Sequence, residues 1–122
     1  MCLCKLVQFK KDKYVADIKL HHILNIAKQA EKAKNIERIM LFGSAIEERC
    51  TKVSDIDIAV FGRKAKGKYL DSKEFMAFHD GLYQFDWDQD YDVLYFQEGT
   101  HRDDSIMADI SNGVEIYRRD PV

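Results

Sequence analysis

Apolar and polar residues follow two different periods along the chain, which predict helices and strands. Apolar residues recur at steps of three and four in three segments, a pattern typical of amphipathic helices. These segments are residues 17–34, 71–85 and 102–111. Short runs rich in β-branched and aromatic residues, bounded by turn residues, predict strands. The strands cover residues 3–9, 37–42, 55–60, 91–96 and 114–117.

Together these elements predict an α+β fold, in which helices pack on a small mixed β-sheet. A chain of 122 residues has room for one hydrophobic core. We therefore expect a single domain over residues 1–122, with residues 1–16 as an N-terminal extension. A second, substrate-binding domain does not fit within this length.

Composition excludes several classes of protein. The chain has 19 basic and 21 acidic residues and a net charge of −2, so no direct binding to nucleic acid or to an anionic membrane is expected. Its apolar runs are far shorter than the roughly 20 residues of a membrane span. Lys5 follows the first apolar residues too early for a secretory signal. These features predict a cytoplasmic protein without a membrane anchor.

The three cysteines predict neither a disulfide framework nor a standard metal site. Their number is odd, and in a reducing compartment they need no partner. Cys2 and Cys4 could be combined with His21 and His22, but this spacing fits no standard zinc finger. Cys50 is interpreted as a small packing residue.

The strongest chemical pattern joins two predicted strands. The first strand ends in Gly43-Ser44, and the second begins with Asp55 and Asp57. Alternate side chains of a strand share one face, so these aspartates project together, about 6 to 7 Å apart. Two carboxylates at one place repel each other unless a cation lies between them. Mg²⁺ suits this position because it binds one or two carboxylates together with water and substrate phosphates.

The glycine-serine pair favours a phosphate group beside this cation. Gly43 allows close approach of the backbone, and free N–H groups at the start of a short helix after Ser44 favour an anion. Each half of the pattern alone is typical of an ordinary turn or strand end. The two halves at this interval, between apolar flanks, predict a metal-nucleotide site.

Two further features bear on this site. Four basic residues within positions 63–68 predict a mobile, solvated loop, in which Lys64 and Lys66 are the candidates for contacting a triphosphate. Asp92 lies within the predicted strand 91–96, where a buried unpaired carboxylate would be costly. If that strand neighbours the Asp55 strand, at about 4.8 Å, Asp92 reaches the same metal site.

These residues resemble a known signature. Gly43-Ser44, ten intervening residues and Asp55-Ile56-Asp57 resemble the motif of the DNA polymerase beta-type nucleotidyltransferase superfamily. The short chain resembles its minimal nucleotidyltransferase (MNT) branch from about residue 36 to the C-terminus, including the segment 112–117. Many members carry a basic or second glycine residue soon after Gly-Ser, where this chain has residues 45–48, Ala-Ile-Glu-Glu.

The resemblance implies a polymerase beta-type fold and a magnesium-dependent transfer reaction. Asp55 and Asp57 would hold two Mg²⁺ ions, and Asp92, which matches the third carboxylate of the superfamily, would complete one metal site and accept a proton. Gly43 and Ser44 would hold the β and γ phosphates of ATP. Attack of a hydroxyl group on the α phosphate would then release pyrophosphate.

The resemblance also implies a partner. MNT proteins are typically encoded beside a HEPN-domain RNase toxin, which they inactivate by attaching AMP to a tyrosine. This implies a protein adenylyltransferase that acts as the antitoxin of a type VII toxin–antitoxin system, as a homo- or hetero-oligomer. Two alternatives stay open: a nucleotidyltransferase for a small molecule such as an aminoglycoside, and a non-catalytic module that neutralises its partner by occlusion.

Overall fold

The structure, a computed structural model, describes residues 4–120 of the chain. Cys2 of the cysteine-histidine group and Leu3 of the first predicted strand lie outside the described residues. The strands are β1 (Leu6–Lys10), β2 (Lys13–Ala16), β3 (Ile36–Phe42), β4 (Ile56–Gly62), β5 (Tyr91–Gln97) and β6 (Val114–Arg118). The helices are α1 (Leu20–Lys32), α2 (Lys66–Leu70), α3 (Lys73–Phe85) and α4 (Ser105–Ser111).

A four-stranded mixed sheet organises the molecule, with the strands in the order β5-β4-β3-β6. β3 pairs antiparallel with both β4 and β6, whereas β4 and β5 run parallel. β1 and β2 form a separate antiparallel hairpin. The predicted α+β class with a small mixed sheet is confirmed. Within the described part of the chain, none of the helices has both the length and the apolar character to cross a membrane.

The period of two along the strands sorts side chains onto the two faces of the sheet. One face packs against α1 and α3 in the main core, to which β4 contributes Ile56, Ile58 and Val60. The opposite face carries a smaller apolar cluster, covered in part by Met107 and Ile110 of α4. The remaining members of that cluster are Met40, Phe42, Ala59, Phe61, Leu94 and Phe96.

Three of the differences from the predictions have a local structural reason. The chain around Asp17–Lys19 forms a 3-10 turn before α1, and the Asp17 carboxylate accepts a hydrogen bond from the Lys5 N–H (3.2 Å). The basic segment predicted as a loop contains the start of α2, and Tyr69 of this helix buries its ring against Tyr95 (centroids 4.9 Å apart). α4 begins after Asp104, which accepts the Met107 N–H (3.0 Å).

Arg119, just after β6, fastens the end of α1 to the sheet. Its guanidinium donates to the backbone oxygens of Ala30 (3.0 Å), Ala33 (2.9 Å) and Ile36 (2.9 Å). The Ala30 and Ala33 oxygens also accept backbone N–H groups, from Ala33 (3.0 Å) and Ile36 (2.9 Å). Arg119 therefore adds a charged donor to these carbonyl groups and ties the end of α1 to the start of β3.

Replacing Arg119 with methionine should lower the free energy of unfolding by about 2 kcal/mol, because partly buried carbonyl groups lose a charged donor. Arg118→Met is the matched control: Arg118 pairs only with Glu115 at the surface, and its loss should cost less than about 0.5 kcal/mol. Urea denaturation of both variants measures the difference. Equal losses would show that Arg119 does not act through these carbonyl groups.

Candidate active site

The sheet topology brings three elements of the predicted site together. Phe42, the last residue of β3, pairs with Asp57 of β4, so the following Gly43 lies beside Asp57. Asp57 is in register with Asp92 on the neighbouring parallel strand β5. In-register residues on paired strands share a face and lie about 4.8 Å apart. Asp55, two residues before Asp57, is exposed at the entrance to the same strand.

The pKa of the Asp57 carboxyl group is raised above its ordinary value. Partial burial raises the pKa of Asp57, and the negative charges of Asp92 and Asp55 raise it further, against a smaller opposing effect of Arg49. Among residues 4–120, none of the ion pairs involves these three aspartates. The site therefore carries negative charge that the protein leaves largely uncompensated, which favours a bound cation.

The donor set fits a hard cation that also binds phosphate. Within the described chain, no three histidine, cysteine, aspartate or glutamate side chains converge into a closed metal-binding group. Mg²⁺ does not require such a group, because it is commonly held by one or two carboxylates and fills its other positions with water and substrate phosphates. Asp57 and Asp92 could hold magnesium in this way, with Asp55 at the edge of the site.

Gly43 makes close contact between the turn and Asp57 possible. Its φ angle is +74°, a conformation that favours glycine, and a Cβ atom there would overlap the Asp57 carboxylate. The Ser44 hydroxyl donates to the backbone oxygen of Asp55 over a long 3.5 Å, which links the two halves of the motif. Both residues predicted to bind phosphate thus lie directly beside the carboxylates.

The short helix predicted after Ser44 is a single 3-10 turn, Gly43–Ile46. The chain turns again at once, since the Cys50 N–H donates to the Glu47 oxygen (3.2 Å) and Cys50 is fully buried. The dipole expected from a helix N-terminus is therefore mostly missing, and an anion at this turn needs another source of positive charge.

A pocket of about 360 Å³ opens between this turn and α4. Its volume is typical of small-molecule sites. It is lined by Phe42, Gly43, Ile46, Glu47, Arg49, Asp57, Asp109 and Asn112. Asp109 and Asn112 come from α4 and its C-terminal end, which form the far wall, and sequence patterns did not identify them as site residues.

Arg49 is the basic residue of this pocket, and sequence reasoning missed it. Its guanidinium binds both carboxylate oxygens of Glu47, at 3.0 and 3.1 Å. The prediction considered only the four residues after Ser44. A search of the whole interval between the two halves of the motif finds two basic residues, Arg49 and Lys52, and only the structure shows which one lines the pocket.

Lys64 and Lys66 lie at the other end of β4. The Lys64 N–H donates to the Asn35 side chain (2.8 Å), next to the start of β3. β4 has seven residues and spans about 20 Å between its ends. The structure therefore does not bring Lys64 and Lys66 to the pocket around Asp57.

A buried lysine supports the loops that lead into the site. Lys19 is only 1% exposed, and its ammonium group donates to the Gln89 side chain (2.5 Å) and the Lys52 carbonyl (3.1 Å). The Gln89 amide in turn donates to the Ser54 carbonyl (3.1 Å). Burial lowers the pKa of Lys19, an effect that nearby acidic groups, including Asp55, oppose. In the sequence Lys19 looks like one more surface lysine of an amphipathic helix.

Comparisons with known proteins bear on the family and the fold. The family model described as polymerase beta, nucleotidyltransferase, matches residues 24–122. A solved structure from Sulfolobus solfataricus, described as a nucleotidyltransferase, matches with a TM-score of 0.50 and 16% sequence identity, over 84% of this chain and 86% of its own. At this identity the likeness shows the fold alone. Among curated proteins, no sequence matches the chain.

The uncompensated carboxylates predict an unusual pH dependence in the metal-free protein. A raised carboxyl pKa means that the folded chain holds its proton more tightly than the unfolded chain, so stability falls as the pH rises from the ordinary carboxyl pKa through the raised pKa of Asp57. Asp57→Asn should remove this cost and melt at a higher temperature than the wild type at neutral pH in EDTA. Asp103→Asn, at an exposed position, serves as the control. A lower melting temperature for Asp57→Asn would contradict the charge balance described above.

Lys19→Met should destabilise the protein by about 2 kcal/mol, because the Gln89 and Lys52 oxygens lose a charged donor. The matched control is Lys28→Met, an exposed lysine of α1, which should change stability by less than about 0.5 kcal/mol. Urea titration at neutral pH measures both. Similar values for the two variants would show that Lys19 does not hold the loops together.

Proposed function

This chain belongs to the polymerase beta nucleotidyltransferase family, and we propose that it transfers AMP from ATP to a hydroxyl group of a partner protein. The observation that carries this proposal is the in-register pairing of Asp57 with Asp92 opposite the Gly43 turn. Carboxylates in this arrangement, beside an open pocket with one arginine, suit a metal-bound triphosphate.

Each residue has a proposed task in the reaction. Asp55, Asp57 and Asp92 would hold the magnesium ions, and Asp92 accepts the proton of the attacking hydroxyl. Two bound magnesium ions would neutralise triphosphate charge and lower the pKa of that hydroxyl. The Gly43 turn and Ser44 hold the β and γ phosphates, and Arg49 exchanges its pairing with Glu47 for a pairing with the triphosphate.

The chemistry is a displacement at the α phosphorus. The acceptor oxygen forms a bond to this phosphorus while the bond to the bridging oxygen breaks, and pyrophosphate leaves with the electron pair. The acceptor proton passes to Asp92. Most of the rate comes from positioning and charge neutralisation, which the rigid strands β4 and β5 support.

We assign the acceptor as a tyrosine of a HEPN-domain RNase toxin, with this chain as the antitoxin of a type VII toxin–antitoxin pair. The support for this assignment is the resemblance of the chain, through its short length and the Gly43-Ser44 to Asp57 signature, to MNT proteins. The same resemblance supports ATP as the substrate and two magnesium ions as the cofactor.

The test incubates the purified chain with ATP labelled at the α phosphate, Mg²⁺ and a HEPN-domain RNase toxin. The wild type should label a toxin tyrosine. Asp57→Asn and Asp92→Asn should reduce labelling by roughly a thousandfold, because charge stabilisation of the transition state is lost. Asp103→Asn should leave it unchanged.

Other outcomes assign a different function. Label on an aminoglycoside, supplied in a parallel reaction, would favour a small-molecule transferase. Toxin neutralisation without label, unchanged in Asp57→Asn, would favour a module that acts by occlusion. Either result contradicts the adenylyltransferase proposal.

A further inference from the structure

The turn between α3 and β5 presents an exposed aromatic residue among carboxylates. Trp87, the single tryptophan of the chain, is 76% exposed and lies between Asp86 and Asp88, with Asp90 two residues further on. Together with Asp80 of α3, we call these five residues the acidic rim. Contact between a large apolar side chain and water is unfavourable, and a second surface that covers the side chain removes this cost.

A groove of about 320 Å³ runs beside Trp87 along α3. It is lined by His79, Asp80, Tyr83, Gln84 and Trp87. The rings of His79 and Tyr83 are 5.0 Å apart, and those of Tyr83 and Tyr91 are 5.5 Å apart. A continuous aromatic row therefore leads from the groove to the start of β5, the strand that carries Asp92.

Hydrogen bonds to less exposed side chains hold the acidic rim in place. Asp86 accepts a hydrogen bond from His22 (2.8 Å) and another from the Asp88 N–H (3.0 Å), and Gln89 is buried against Lys19. The pairing of Asp86 with His22 makes Asp86 part of this support. A preformed turn loses little conformational freedom on binding, so it suits a docking surface.

The chain segment that forms this region is acidic. Between Lys73 and Arg102 the sequence has no lysine or arginine but seven acidic residues. Asp80, Asp88 and Asp90 take part in no ion pair within residues 4–120. Carboxylates around an exposed indole favour a basic partner, whose cations can pair with the acids and lie over the ring. The same charge disfavours nucleic acid and anionic lipid.

The acidic rim is continuous with the candidate active site. The Asp90 carbonyl accepts a hydrogen bond from the Ile56 N–H (3.0 Å), directly after Asp55. Asp88 precedes Asp92 by four residues, a distance of at most about 14 Å along the chain. A polypeptide seated on the groove can therefore pass around the amino end of β5 and bring a hydroxyl group to Asp92.

We propose that the acidic rim and its groove form the docking surface for the acceptor protein, and that they bind a basic segment carrying the acceptor tyrosine. This inference rests on the proposed transfer to a protein hydroxyl. The proposal predicts that the protein selects acceptors by the positive charge close to their tyrosine, a preference that the active site itself does not impose. Trp87 contacts the bound segment and takes no part in the reaction.

Because Trp87 is the only tryptophan, its fluorescence excited at 295 nm reports binding directly. Titration with a lysine–tyrosine copolymer should give a saturable change that weakens with added salt, and a glutamate–tyrosine copolymer should give none. Replacing both Asp88 and Asp90 with asparagine should weaken binding about tenfold. A control with Glu31→Gln and Asp103→Asn, exposed acids elsewhere, should bind as the wild type does. Equal responses to the two copolymers, or no effect of the paired asparagines, would overturn the proposal.

Transfer assays separate docking from chemistry. With labelled ATP and Mg²⁺, the wild type should label the lysine–tyrosine copolymer more efficiently than the glutamate–tyrosine copolymer, and Trp87→Ala should lower this efficiency about tenfold. Tyr14→Ala, at another exposed aromatic residue, is the control. Labelling of N-acetyltyrosinamide, which is too small to reach the rim, should be the same in Trp87→Ala and wild type.

The remaining outcomes distinguish the two proposals. Selective copolymer binding without transfer to any acceptor would overturn the proposed function and leave the docking surface standing. Equal transfer to both copolymers would overturn the docking surface and leave the function standing. If the chain alone associates at high concentration in sedimentation and Trp87→Ala abolishes this, the surface binds a second copy of the chain, and the acceptor proposal is wrong.

Discussion

The pairing of Asp57 with Asp92 across two parallel strands is the constraint on which the candidate site depends. Strand register places two carboxylates on one face, and neighbouring negative charge raises the pKa of Asp57. On the opposite face of the same strands, apolar side chains pack into the main core with α1 and α3, and this burial offsets the repulsion. Electrostatic strain that a cation relieves is typical of sites that bind metal-nucleotide complexes.

Lys19 supports both of the loops that lead into β4 and β5. Lys19 links the loop before β4 to the loop before β5, so the approaches to Asp55 and Asp92 are fixed relative to each other. The same contacts hold the turn that presents Trp87. Lys19 thus stabilises both the end of the sheet that carries the aspartates and the acidic rim beside it. This shared support links the residues proposed for the reaction to the surface proposed for choosing the acceptor.

Much of the fold and part of the site follow from local patterns in the sequence. Alternation predicts the shared face of Ile56, Ile58 and Val60, and helical periodicity predicts α1 and α3; the polymerase beta-type fold expected from the motif is confirmed. The separation of Lys64 from Asp57 follows from the length of β4 and was missed in the sequence. Properties set by tertiary contacts were not predictable: α2 depends on burial of Tyr69, and the position of Arg49 depends on the turn that Cys50 closes.

A crystal structure of the chain with Mn²⁺ and a non-hydrolysable ATP analogue tests most directly whether these carboxylates gather a metal-nucleotide complex. Anomalous scattering should show manganese within coordination distance of Asp57 and Asp92, with the β and γ phosphates against the Gly43 turn and the Arg49 guanidinium. Manganese bound elsewhere, or a triphosphate that avoids the Gly43 turn, would contradict the assignment of this site.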